Sequence, residues 1–136
     1  MEKSGEEEKI RRILTNPMLS EKTKLILKDP EFSKRVKRIS VDQKLLEKIK
    51  ALLENDHAVD CIMLLYMNRG KWKETSEFMR KNGLSLSDGT FRARMIEIEH
   101  LGLANKERIE SLKEFYTKTD LGEKVAKLLL EFLTSL

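Results

Sequence analysis

The apolar positions of this chain repeat at the three-to-four-residue spacing of α-helices over most of its length. The segments SGEEEKIRRIL, PEFSKRVKRI and QKLLEKIKALLE each carry one apolar face, whereas the segment from Ala58 to Asn68 is apolar nearly all round. A helix with one apolar face packs that face on a core, and a helix that is apolar all round is buried. The chain before Gly102 is therefore predicted to be mainly helical.

Capping and breaking residues divide this helical part into separate helices. Ser87 is predicted to cap a helix that runs to His100, and Asp29 followed by Pro30 is predicted to begin an earlier helix. Gly83 and Gly102 each follow a helical pattern, as glycines at helix ends do. Further boundary signals are a capping box at Ser4 and Glu7, a cap at Ser20, a helix from Val41 to Glu54, a break and recap at Asn55 and Asp56, a possible short strand KWK at 71–73, and a helix from Glu74 to Asn82.

The spacing of the apolar residues changes from a helical to a strand-like pattern after Gly102. Leu103–Ile109 and Leu112–Thr117 are predicted to pair as a β-hairpin with its turn near Glu110 and Ser111. Thr119 or Asp120 then begins a last helix with a wide apolar stripe, formed by Leu121, Val125, Leu128, Leu129, Phe132 and Leu136. The fold class is thus mainly α with a small β-hairpin.

Composition adds expectations about the habitat and location of the protein. Its 136 residues contain 18 Lys and 17 Glu but one Gln, a bias typical of proteins from thermophiles, in which ion pairs replace thermolabile amides. The single cysteine, Cys61, lies in the apolar run VDCIMLLYM and is predicted to be a core residue. No secretory leader and no membrane-spanning run is visible, so we expect a cytoplasmic protein with no membrane contact.

Side chains that would carry chemistry are sparse. His57 and His100 stand alone, and there is no Ser-His-Asp arrangement, Gly-rich phosphate loop or paired-carboxylate signature. We therefore expect no enzyme activity, no cofactor and no metal. The net charge of +4 and the pI of about 9.1 point only weakly to nucleic acid. Residues 1–55 carry 14 Lys and Arg against 10 Asp and Glu, whereas residues 56–119 carry 11 against 10.

The order of elements after Asp56 leads to a family resemblance. The segment ETSEFMRKNGLSLSDGTFRARMIEIEHLGLANK resembles the centre of winged helix-turn-helix regulators of the MarR-, HxlR- and ArsR-like, archaeal type. The matching positions are Ser76-Glu77-Phe78, Gly83, Ser87, Thr90, Arg94, Met95, Ile98-Glu99 and Gly102-Leu103. Further on, YTKTDLGEKV is similar to the end of the family's wing at Tyr116, Thr119 and Gly122, while Lys118 replaces the usual apolar residue.

This resemblance implies three parts: an N-terminal helical extension at 1–55, a winged helix-turn-helix at 56–119 and a C-terminal helix at 120–136. It also implies a transcription regulator that places helix 87–100 in the major groove of double-stranded DNA and uses hairpin 103–118 as a wing. The alternative is a winged-helix module for protein–protein contact within a larger assembly. The sequence assigns no regulator subfamily and no operator.

Helical geometry divides the residues of helix 87–100 between two faces. Phe91, Met95 and Ile98 share one arc, which is predicted to be the core face, and Gly89, Ala93 and Ile96 lie roughly opposite. Small outer residues would let the backbone approach base edges; the alternative is that they pack against another protein element. The residues predicted to bind DNA are Ser87, Gly89, Thr90, Arg92, Ala93, Arg94, Ile96, Lys106, Arg108 and Lys113.

Two basic segments leave alternatives open. Glu107, Glu110 and Glu114 alternate with the wing cations, so a charge-balanced, solvated hairpin competes with a wing that touches phosphates. The cluster KRVKR at 34–38 either flanks DNA or is a solvated face.

The apolar stripes outside the predicted winged domain suggest a homodimer. A symmetric dimer reads paired half-sites, and these stripes exceed what a small winged domain needs. The residues predicted to form the interface are Leu45, Ile49, Leu52, Leu121, Val125, Leu128, Leu129 and Phe132. The alternative is that these helices pack on each other within one chain. Whether a small effector binds is unknown, and a cavity between the N-terminal helices and the core is the place to expect one.

Overall fold

A computed structural model describes residues 2–109 and 113–135 of the chain. These residues form eight α-helices and one antiparallel hairpin. The elements are α1 (Glu2–Thr15), α2 (Leu19–Lys28), α3 (Pro30–Ile39), α4 (Leu45–Leu53), α5 (Ala58–Tyr66), α6 (Trp72–Lys81), α7 (Asp88–His100), β1 (Ala104–Ile109), β2 (Lys113–Lys118) and α8 (Asp120–Ser135). The predicted fold class, mainly helical with a small hairpin, is confirmed.

Several predicted boundaries are confirmed by their hydrogen bonds. Asp29 accepts from the backbone N–H of Glu31 at 2.9 Å, with Pro30 in the first helical position of α3. Thr119 Oγ1 accepts from Gly122 N at 3.0 Å and begins α8. Gly83 and Gly102 follow α6 and α7 with φ of +69° and +81°, which side chains disfavour.

Two of the first four helices, α2 and α4, begin at residues other than those predicted. Helix α2 begins at Leu19, so Ser20 lies inside it, and Asn16 Oδ1 accepts from Met18 N at 2.8 Å in the preceding turn. Helix α4 begins at Leu45 rather than Val41, because the Asp42 carboxylate accepts from Lys44 N at 2.9 Å and holds a turn there. The predicted capping box at Ser4 and Glu7 cannot be compared with the structure, because the side chain of Ser4 lies outside those that the structure describes.

Two further local predictions are wrong. The segment KWK is not a strand: Trp72 begins α6 and packs against Phe91, with ring centroids 5.3 Å apart. Strand-like pairing there consists of one bond, from Tyr116 N to Gly70 O at 3.2 Å. The break at Asn55 and Asp56 is present, but α5 begins after His57, which has a left-handed backbone with φ of 63°.

The hairpin pairs β1 with β2 over six positions, from Ala104 opposite Lys118 to Ile109 opposite Lys113. The predicted strands are confirmed over this range. The predicted turn at Glu110 and Ser111 lies outside the described residues, as does Leu112.

Helix α8 joins the two halves of the chain around one core. It packs against α1, α2 and α3, and also against α5 and β2. Its Phe132 meets Phe32 of α3 edge-on, with ring centroids 5.4 Å apart, and Arg35 binds Glu131 through two hydrogen bonds of 2.8 Å. The N-terminal helices therefore cover the apolar stripe of α8.

The residues predicted to form a dimer interface are covered within one chain. Six of them are buried, with at most 4% of their surface exposed: Leu45, Ile49, Leu52, Val125, Leu128 and Leu129. Leu121 and Phe132 are half-buried and pack against the same core. The structure thus favours the intramolecular alternative for these side chains, and an interface between two copies needs other residues.

Cys61 is buried, as its apolar neighbours predicted, and burial raises the pKa of its thiol to about 12. In the described part of the chain, no helix has the length and apolar character needed to cross a membrane.

Candidate nucleic-acid interface

Helix α7 is fixed by its cap and by three buried side chains. Ser87 Oγ accepts from the backbone N–H of Thr90 at 3.1 Å and lies 2.9 Å from its hydroxyl oxygen. Phe91, Met95 and Ile98 are at most 4% exposed, which confirms the predicted core face. The opposite face of α7 is therefore turned away from the core.

The outer face of α7 begins with a glycine in open space. A Cβ added at Gly89 would meet no described atom within 4 Å, so no described part of this chain packs against it. Ile96 is 51% exposed, and Ala93 is half-exposed. The Arg92 side chain is 70% exposed and lies 3.3 Å from the Asp88 carboxylate, one helical turn earlier. The guanidinium is thus held near Asp88 at the start of α7 but remains accessible.

Arg94 occupies a different environment from Arg92. Its side chain is 18% exposed, and its Nη1 donates to both carboxylate oxygens of Glu97 at 2.6 Å. Asn55 Nδ2 donates to the same carboxylate at 3.1 Å, so the pair is tied to the corner between α4 and α5. The Arg94 Nε is buried without a hydrogen-bond partner among the described residues. Arg94 therefore anchors α7 to the core and is not grouped with Arg92.

Two wing cations predicted to bind DNA, Lys106 and Arg108, share one carboxylate. Lys106 Nζ lies 3.0 Å from Glu114, and Arg108 Nη2 lies 2.9 Å from it. These two cations hold the pKa of Glu114 below its usual range, and Glu114 raises the pKa of Lys106. The side chain of Lys113 lies outside the described residues.

A groove between α7 and the hairpin brings three of the predicted residues together. It has a volume of about 460 Å³, and Arg92, Ile96 and Lys106 line it with Trp72 and Tyr116. The two aromatic residues were not predicted as site residues. KWK was interpreted as a strand, which hid the fact that Trp72 begins α6 beside α7. Burial raises the pKa of Tyr116, so its hydroxyl stays protonated at neutral pH.

No protein-family model, curated protein or solved structure matches this chain.

The charges at this face are nearly balanced. The described cations are Arg92, Lys106 and Arg108, and each is paired with a carboxylate, Asp88 or Glu114. The KRVKR cluster lies on α3, where Arg35 is bound to Glu131 and stacks over Phe132 at 5.7 Å. The face can present a small-residue helix surface and the two accessible guanidinium groups of Arg92 and Arg108 to a partner, but it has no strong excess of positive charge.

Proposed function

We propose that this chain is a winged helix-turn-helix protein that binds double-stranded DNA and acts as a transcription regulator. In this arrangement α6, residues 82–87 and α7 form the helix-turn-helix, α7 enters the major groove, and the hairpin is the wing. The order α6, α7, β1, β2 and the exposed outer face of α7 support the proposal.

Gly89 is the observation that carries this proposal. Gly89 is the second residue of α7, and outside its own helix no described atom lies within 4 Å of a Cβ built there. The backbone of α7 is therefore open at this position to close approach by a partner from outside the chain. Base edges at the floor of a groove are a surface that a helix backbone must approach closely.

The other outer residues fit contacts of two kinds. Arg92 reaches guanine or a phosphate once it leaves Asp88, and Ile96 offers an apolar surface to a thymine methyl. Lys106 and Arg108 reach phosphates from the wing, where such contacts fix the register of a protein on the duplex. Arg94 contributes by holding α7 in place rather than by touching DNA.

Glu114 favours the second candidate, a winged-helix module that contacts another protein. Its one carboxylate pairs with both Lys106 and Arg108 and offsets one of their two positive charges, whereas DNA binding draws much of its affinity from Lys and Arg that contact phosphates. This candidate predicts no measurable affinity for duplex DNA even at low salt.

The homodimer stays a prediction. With the eight predicted residues covered, the large apolar side chains exposed in the described N-terminal helices and loops are Met18, Leu25 and Val41. Sedimentation equilibrium at tens of micromolar separates a 15.9 kDa monomer from a dimer.

The proposed function is tested by fluorescence-anisotropy titration of generic duplex DNA at several salt concentrations. We expect binding that weakens as salt rises, because each phosphate contact contributes a slope of about −0.9 in log K against log salt. Replacing Arg92 (Arg92→Gln) should weaken binding and make this slope shallower by about one unit.

Arg12→Gln is the matched control. Arg12 is exposed on α1 and pairs with Glu8 one turn earlier, as Arg92 pairs with Asp88, but it lies on a helix that packs on α2 and α8. This control should bind duplex like the wild type. Absence of binding by the wild type at low salt, or equal losses in the two variants, would contradict the proposal.

A further inference from the structure

The positive charge of the chain is concentrated in helices α2–α4. Residues 19–53, which run from the first residue of α2 to the last residue of α4, contain 10 Lys and Arg against 5 Asp and Glu. The rest of the chain contains 17 against 18. The excess that gives the protein its net charge of +4 therefore lies in these three helices and not on α7 or the hairpin.

Three of these cations share the outer face of α3. Because successive residues of a helix are about 100° apart, Lys34, Lys37 and Arg38 fall within one arc of about 100°. This arc lies opposite Phe32 and Val36, which are at most 1% exposed. All three cations are exposed, and none of them forms an ion pair with a described residue.

The carboxylates around α3 do not cancel this charge. Glu131 of α8 is bound to Arg35 by two hydrogen bonds of 2.8 Å, and Glu31 lies in the first turn of α3. The helices that pack against α3 are α2, α4 and α8. Residues 19–53 and α8 together carry 12 Lys and Arg against 8 Asp and Glu, so an excess of positive charge remains when every neighbouring helix is counted.

The loop after α3 continues the cationic face. Ser40 Oγ accepts from Asp42 N at 3.1 Å, and the Asp42 carboxylate accepts from Lys44 N at 2.9 Å, so two side chains hold this turn. Val41 is fully exposed in the turn, at 101%, and Lys44 is exposed as well. The name α3 surface is used below for Lys34, Lys37, Arg38, Val41 and Lys44.

An extended anionic partner fits the α3 surface. Duplex DNA carries one negative charge per about 1.7 Å of its axis, and proteins neutralise its phosphates with Lys and Arg. A membrane of anionic lipids is also an extended anion, but it would require apolar anchors. Val41 is the large apolar side chain exposed on the α3 surface, and a valine buries far less than a myristoyl chain, which alone binds a bilayer only marginally. The surface therefore fits DNA better than a membrane.

We propose that the α3 surface binds the phosphate backbone of double-stranded DNA without regard to sequence, outside the groove that α7 enters. The choice of partner rests on the proposed function. The contacts themselves are separate, because α3 packs on α2, α4 and α8, whereas α7 packs on α5 and β1. In this arrangement α3 supplies salt-dependent affinity through phosphates, and α7 supplies contacts to base edges.

The test compares Lys37→Gln/Arg38→Gln with the wild type by fluorescence anisotropy, using two duplexes of unrelated sequence and about three helical turns each. We expect the slope of log K against log salt to become shallower by about two units, equally for both duplexes. Lys9→Gln/Arg12→Gln is the matched control, because it removes one exposed Lys and one exposed Arg from α1. The control should keep the wild-type slope, and both variants should unfold at the wild-type urea midpoint. An unchanged slope in the α3 variant, or equal changes in the two variants, would overturn the proposal.

Arg92→Gln on the same duplexes separates this proposal from the proposed function. A shallower slope in Arg92→Gln alone would overturn the α3 surface and leave α7 as the DNA-binding element. A shallower slope in the α3 variant alone would leave the α3 surface and contradict the insertion of α7, and no wild-type binding at low salt would overturn both. Vesicles that contain phosphatidylserine are the last probe. We expect them to bind more weakly than duplex DNA, and equally tight binding that Lys37→Gln/Arg38→Gln abolishes would overturn the assignment to DNA.

Discussion

Arg92 and Arg94 lie two positions apart on α7 but have different surroundings. Arg92 is 70% exposed beside one carboxylate, whereas Arg94 is 18% exposed and makes two hydrogen bonds to Glu97. The sequence placed Arg94 together with Arg92 among the residues predicted to bind DNA. It gave no indication of Asn55, which joins the pair from 42 positions away.

Replacing these two arginines should therefore have different effects. Loss of Arg94 should lower the stability of the fold, whereas loss of Arg92 should weaken DNA binding with little effect on stability. Arg94→Gln should lower the free energy of unfolding by about 1 kcal/mol, because a half-buried carboxylate loses its cation and the anchor at Asn55 weakens. Arg92→Gln should change the free energy of unfolding by less than about 0.5 kcal/mol. Urea unfolding of both variants measures this difference, and equal effects on stability would contradict the assigned roles.

At the scale of elements, local sequence signals predicted most of the helices and both strands. Asp29, Ser87, Gly83 and Gly102 mark helix ends in the sequence, since capping and glycine geometry act within a few residues. The KWK segment fails because the packing of Trp72 on Phe91 overrides a weak strand preference. Which elements would border a groove was not predictable either, because that depends on contacts between distant segments.

Two helical glycines give opposite predictions for one substitution. A Cβ at Gly122 of α8 would overlap the backbone carbonyl of Leu103, whereas a Cβ at Gly5 of α1 meets no described atom within 4 Å. Gly122→Ala should therefore lower the free energy of unfolding by about 1–3 kcal/mol. Gly5→Ala should raise it by up to about 1 kcal/mol through helix propensity. Thermal or urea unfolding checks both, and a stable Gly122→Ala protein would show that α8 does not meet the Leu103 carbonyl this closely.

At the scale of the whole molecule, the sequence suggested three parts and the structure packs them around one core. Periodicity shows that α4 and α8 each have an apolar face but does not say which surface covers it. The covering surface is intramolecular, since α8 contacts α1, α2, α3 and α5. The apolar faces of α4 and α8 are therefore explained without a second copy of the chain.

One core predicts one unfolding transition. The fluorescence of Trp72 reports on α6, and far-UV circular dichroism reports on all helices, so their urea midpoints should coincide. Phe132→Ala, which removes the ring that meets Phe32, should shift both midpoints together and cost about 2 kcal/mol. Separate midpoints, or a shift in one probe alone, would indicate that residues 1–55 fold as an independent unit.

The central claim is that the outer face of α7 enters a groove of duplex DNA, and the size of residue 89 tests it most directly. We would measure the duplex affinity of Gly89→Leu at fixed low salt, with Gly5→Leu on α1 as the matched helical control. Outside its own helix, no described atom lies within 4 Å of a Cβ built at either glycine, so both proteins should fold at least as stably as the wild type. We expect Gly89→Leu to lose at least about tenfold in affinity while Gly5→Leu binds normally, because the leucine holds the backbone away from the base edges. Wild-type affinity in a folded Gly89→Leu protein would contradict the claim.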